Sequence, residues 1–99
     1  MTAMSSTHTT LHRRVIHFAG RVQGVGFRYT VKNIALPHSV QGYVRNLPDG
    51  RVELLMEGPD QEMDEIAGAI KQKMAGFIRK VDVNTSPATG EFEGFQIRH

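Results

Sequence analysis

Three glycines fall within seven residues in the run Gly20-Arg21-Val22-Gln23-Gly24-Val25-Gly26-Phe27-Arg28, and no other part of the chain constrains the fold as tightly. Glycine enters left-handed backbone conformations without steric cost and lets another group approach the main chain closely. Before the run, Val15, His17 and Ala19 alternate with Ile16, Phe18 and Gly20, which predicts a short strand with one strongly apolar face. After it, Phe27, Val31, Ile34 and Ala35 recur at helical spacing as far as Leu36-Pro37, where proline disfavours helical geometry in the residue before it. The glycines therefore have to turn a strand into a helix within a few residues.

Two strand-like runs follow, Val40 to Leu47 and Arg51 to Gly58, joined by Pro48-Asp49-Gly50. Proline presets one turn dihedral and glycine accepts a positive one, so the pair reads as a hairpin. In the second run Val52, Leu54 and Met56 share a face while Glu53 and Glu57 are expected on a wet one, with Leu55 out of pattern. Gly58-Pro59-Asp60 opens a second helix whose buried stripe is Met63, Ile66, Ala67, Ile70 and Met74, ending at Gly76. Val81 and Val83, then Phe95 and Ile97, mark two last strands around a polar loop from Thr85 to Glu93. The order is βαββαβ plus a C-terminal strand, an α+β, ferredoxin-like sandwich with two helices on one face of an antiparallel sheet. That fold hosts many unrelated functions, so chemistry has to be argued from a site.

Ninety-nine residues, 39% of them hydrophobic, fit one core, expected over 13–99. Residues 1–12, rich in Ser, Thr and His, read as a disordered arm without the apolar segment of a secretory signal; a transit peptide fits less well because no amphipathic period appears. The absence of cysteine excludes disulfides, thiolate metal sites and thiol nucleophiles, and makes a cytoplasmic setting the default. A net charge of +2 with interspersed signs argues against a nucleic-acid surface, and no stretch is long enough to span a membrane. The sheet of an RNA-recognition domain would also need stacking aromatics in a basic consensus, and Tyr43 alone does not supply it. Met56, Met63 and Met74 are expected to fill core gaps, and Glu62 and Glu65 to be solvated. The five histidines, His8, His12, His17, His38 and His99, have no metal-ligand spacing on one element and read as solvated or locally bonded.

A strand entering glycines and then a helix presents unobstructed backbone amides at a helix N-terminus, a geometry that suits an anion. Nucleotide motifs fail: Tyr29 occupies the place of the third glycine of G-x-G-x-x-G, and no Lys-Ser pair completes a Walker loop. Arg28, in the first turn of the helix, brings a fork of donors that matches phosphoryl oxygens. On the residues alone two readings stand: a phosphate cradle, or a tight crossover with Arg28 solvated or paired. Asn46, before the hairpin turn, reads on its own as ordinary turn chemistry.

Gly20 to Arg28 with Tyr29-Thr30, then Gly42-Tyr43-Val44-Arg45-Asn46, Asp49-Gly50 and Gly58-Pro59, closely resembles the acylphosphatase family in motif order and spacing from Val15 to Arg98. The resemblance implies metal-independent hydrolysis of acyl phosphates without a cofactor. It implies Arg28 and Asn46 as catalytic residues, with Asn46 orienting the attacking water. The phosphoryl group would be gripped by Arg28 and by the amides of Gln23, Gly24, Val25, Gly26, Phe27 and Arg28. The implied partners are a small acyl phosphate and inorganic phosphate, product and inhibitor of a monomeric enzyme; the alternative is a non-catalytic anion-binding regulatory module. The chain departs from the family pattern at Tyr43, often tryptophan, at Leu47, commonly a small hydroxyl residue, and at Pro37-His38-Ser39, often a Leu-Gly pair. Leu47 removes a hydrogen-bonding group beside Asn46.

Overall fold

Alternating and helical spacings sort the chain into seven elements in the computed structural model, which describes residues 10–99. They are β1 (Leu11–Gly20), α1 (Phe27–Ala35), β2 (Gln41–Asn46), β3 (Val52–Pro59), α2 (Asp60–Lys73), β4 (Ile78–Pro87) and β5 (Phe95–Arg98). The strands form one sheet in the order β4-β1-β3-β2-β5, antiparallel except for the parallel pair β2 and β5. This is the ferredoxin-like α+β plan with the extra strand added beside β2.

Both helices cover one face of the sheet. Ile16, Phe18, Val44, Val52, Leu54 and Met56 meet Phe27, Val31 and Ala35 of α1 and Met63, Ile66 and Ile70 of α2 in a single buried cluster. Met56, Met63 and Met74 are all buried in it, as gap-filling residues should be. The rings of Phe18 and Phe27 lie 5.1 Å apart, so the residue that begins α1 is anchored on the strand that precedes the glycine loop. No helix is long and apolar enough to cross a membrane among the described residues.

Three expectations change. Strand β1 begins at Leu11, where Leu11 and His12 pair with Pro59 and Gly58, so these two residues leave the expected arm; residues 1–9 lie outside the described residues. That early start gives β4 a longer partner: Thr85, Ser86 and Pro87 pair with Arg14, Arg13 and His12, and the predicted loop becomes strand as far as Pro87. Thr and Ser tolerate an edge position well, which is why their polarity misleads.

The third change concerns the face without helices. Glu57 is only 4% exposed, and Glu53 and Leu55 beside it are largely covered. Cross-strand register explains this: Glu57 lies between Arg13 and Gln41, Leu55 between Val15 and Tyr43, and Glu53 between His17 and Arg45. The segment after β4 then folds over Glu57, which accepts bonds from Arg13 Nε at 2.8 Å, Thr89 N at 2.9 Å, Thr89 Oγ1 at 3.0 Å and Gly90 N at 2.9 Å. Burial pushes its carboxyl up, but the amides of Thr89 and Gly90, with Arg13 and the Thr89 hydroxyl, outweigh it and hold it at about 2. Glu53 accepts from Tyr43 Oη at 2.9 Å and from Arg45 Nε at 2.8 Å and pairs with His17 Nε2 at 2.9 Å. Glu53 and Glu57, expected on a wet face, are thus covered and hydrogen-bonded.

Candidate active site

The backbone decides the shape of the loop between β1 and α1. Gly24 and Gly26 have φ of 77° and 76°, the left-handed region that other residues enter only at a cost, and an added Cβ would meet nothing within 4 Å at either. Conformation, not crowding, therefore calls for glycine here. Gly26 caps α1 without any side-chain cap, and the first helical bond runs from Thr30 N to Gly26 O at 3.0 Å. The amides of Phe27, Arg28 and Tyr29 have no acceptor in the helix, and α1 has no acid in its first turn to compete for its positive end.

The three residues that carry those amides border a hollow of about 130 Å³, whose full lining is Val22, Gly24, Gly26, Phe27, Arg28, Tyr29 and Asn46. Arg28 and Asn46, far apart in sequence, come together there. Asn46 is the last residue of β2, opposite Val52, directly before the 47–50 turn closed by Gly50 N to Leu47 O at 3.1 Å. Of the expected phosphate-binding residues, Gly24, Gly26, Phe27 and Arg28 line the hollow. Val25 does not; it packs against the core. Gln23 is not among the lining residues either; its side-chain amide donates to Leu47 O at 2.8 Å and Arg51 O at 2.9 Å, while the group expected to bind phosphate is its backbone amide. The loop is thereby tied to the hairpin that carries Asn46.

Sequence reasoning missed what holds Arg28. Its Nη1 donates to Arg98 O at 3.1 Å and lies 3.2 Å from His99 Nδ1, so the last residue of β5 and the one after it brace the guanidinium. No local signal announces this, because it depends on β5 pairing beside β2 and lying against α1. Arg28 forms no ion pair with a carboxylate among the described residues, which leaves its charge available.

The lining of the hollow contains no carboxylate or imidazole. One trio of metal-competent side chains occurs among the described residues, His38, Glu62 and Glu65 within 4.8 Å of one another, and it shares no residue with this lining. There His38 Nδ1 meets Glu62 Oε1 at 2.7 Å and Ser39 N donates to the same oxygen at 3.3 Å, stapling the segment after α1 to α2. This contact occupies the Pro37-His38-Ser39 departure. A larger hollow of about 510 Å³ near Leu11, Ser39 and Thr89 touches Glu57, whose oxygens are already taken.

The acylphosphatase family model matches residues 14–97, nearly the whole described chain. The chain belongs to the acylphosphatase family. It is 44% identical over 80 residues to an acylphosphatase of Acaryochloris marina, covering 80% of this chain and 85% of that one. An acylphosphatase of Aeropyrum pernix is 38% identical over 101 aligned positions, covering all of both chains. The crystal structure of acylphosphatase from Bacillus subtilis superposes with a TM-score of 0.76 at 35% identity, covering 90% of this chain and 99% of that one. With this membership the chain is a hydrolase of acid anhydrides, and the regulatory alternative falls away. Tyr43, the departure at a common tryptophan position, is buried with its hydroxyl donating to Glu53, a bond that an indole placed there would have to replace.

Proposed function

We propose that the enzyme hydrolyses acyl phosphates by in-line attack of water, with Arg28 and the loop amides gripping the phosphoryl group and Asn46 orienting the water. The observation that supports this reading is the shared hollow, in which Arg28, which has no carboxylate partner among the described residues, the first residues of α1 and Asn46 line one small volume. Phosphoryl transfer through a loose transition state asks chiefly for positioning and for charge on the equatorial oxygens, which these groups supply. The water oxygen forms a bond to phosphorus while the bond from phosphorus to the carboxyl oxygen breaks, its electron pair leaving on the carboxylate. The water's protons end on inorganic phosphate and solvent.

A carboxylate leaving group, whose conjugate acid has a pKa of about 4, departs without a proton donor, whereas the alkoxide of a monoester needs one. The lining offers no carboxyl or imidazole to serve as that donor, which favours anhydrides over esters. No metal enters this reading. It takes the working unit as a monomer, since one chain supplies every lining residue, and the cysteine-free chain goes with a cytoplasmic setting.

The test is release of phosphate from benzoyl phosphate, with 4-nitrophenyl phosphate as the monoester control and EDTA present. Turnover of the anhydride alone, unchanged by EDTA and inhibited by inorganic phosphate, is the expected result. Equal rates on both substrates would overturn the substrate class, and loss of activity in EDTA would overturn the metal-free step.

A further inference from the structure

A hollow of about 130 Å³ is small. Liquid water takes about 30 Å³ per molecule, and sites that enclose an organic ligand start at about 300 Å³. The space therefore suits a phosphoryl group and its attacking water and leaves the acyl group outside, at the mouth. What lies at the mouth decides which acyl groups are favoured.

Of the lining residues, Val22 and Phe27 are buried in the core, the two glycines have no side chain, and Arg28 and Asn46 are polar. Only Tyr29 presents an apolar surface to solvent. It is 63% exposed, an unusual state for a residue of its size, and its hydroxyl and ring have no bonding or stacking partner among the described residues. Its position is fixed all the same, because it follows Arg28 in the first turn of a helix whose start is pinned by Phe27 against Phe18.

We infer that Tyr29 is the acyl-group platform of this enzyme, and that the site favours aromatic acyl phosphates, whose flat rings stack on it, over small aliphatic ones. The inference rests on the hydrolase reading above. Stacking of two rings contributes enough to change relative specificity about 3- to 10-fold. The phosphoryl grip lies on the other side of the scissile bond and sets the reaction, while Tyr29 sets the choice among acyl groups.

The experiment compares kcat/KM for benzoyl phosphate with kcat/KM for acetyl phosphate in the wild type, Tyr29→Ala and Tyr29→Phe. Tyr29→Ala should lower the benzoyl-to-acetyl ratio about 3- to 10-fold and Tyr29→Phe should restore it, since the ring and not the hydroxyl does the stacking. A ratio within twofold of wild type in Tyr29→Ala, or a fall that phenylalanine does not rescue, overturns the platform. Absence of phosphate release from both substrates in the wild type would instead overturn the hydrolase reading, so the two failures are distinct.

Discussion

Two regions of the sheet treat hydrogen bonding in opposite ways. At the loop before α1, helix-terminal amides and the Arg28 guanidinium are left without an anionic partner. On the helix-free face, the Glu57 carboxylate receives four donors from Arg13, Thr89 and Gly90. A buried carboxylate needs partners or it costs stability, whereas the donors of the exposed loop are free to bond water, so the two regions serve different purposes. The saturated region holds strands and the segment after β4 together; the open one is where the proposed reaction puts the phosphoryl group.

The sharpest way to break this contrast is to remove the open region's charge and its polar partner in turn. Arg28→Ala should lower kcat/KM on an acyl phosphate by about 10³-fold and abolish inhibition by inorganic phosphate, since one group serves both binding and the transition state. Asn46→Ala should lower kcat by about 10²-fold while phosphate inhibition stays within a few-fold of wild type. Both variants should melt within a few degrees of the wild type. Tight phosphate inhibition in Arg28→Ala, or unchanged turnover in Asn46→Ala, would remove that residue from the mechanism.

The saturated region predicts the reverse: a loss of stability with the chemistry retained. The Glu57 carboxyl is held at about 2 against an ordinary 4.5, so in this protein the depressed, folded-state value is the lower one. Its contribution is complete above pH 4.5 and disappears as pH falls toward 2, reaching at most about 3 kcal/mol at neutral pH. Glu57→Gln should accordingly cost about 2 to 3 kcal/mol in urea unfolding at pH 7 and flatten the dependence of stability on pH over that acid window. Equal stability of the two proteins at pH 7 would show that the four donors are satisfied elsewhere when the charge is gone.

The contrast also explains what could be read from the chain beforehand. The loop, α1 and the hairpin turn are written in local signals: Gly24 and Gly26 for left-handed backbone, Phe27, Val31 and Ala35 for a helical stripe, Pro48 and Gly50 for a turn. The family's motif order singles out Arg28 and Asn46, which the fold brings to one hollow, while the residues alone leave both roles open. Glu57 looked solvated because strand alternation reports which face a residue takes and says nothing of what covers that face. The cover comes from Thr89 and Gly90, some thirty positions away, and from Arg13 on a neighbouring strand. The same dependence on distant pairing hid the extension of β4 to Pro87, which needs the early start of β1, and the brace that Arg98 and His99 place on Arg28.

Gln23 sits between the two kinds of region and yields the smallest effect. Its backbone amide is expected among the phosphate-gripping groups, and its side chain bonds the carbonyls of Leu47 and Arg51, at 2.8 and 2.9 Å, on either side of the turn that follows Asn46. A side chain that ties the loop to the hairpin fixes the distance between the two halves of the hollow, and small misplacement of a reacting group is costly in rate. Gln23→Ala should therefore cost about 1 kcal/mol of stability and lower kcat about 3- to 10-fold, with the phosphate inhibition constant little changed. A parallel loss of phosphate affinity would mean that the tie also shapes the loop amides that grip the phosphoryl group. Loss of kcat alone would make its side chain a positioning group that acts through Asn46, with the phosphate grip left to the loop amides and Arg28.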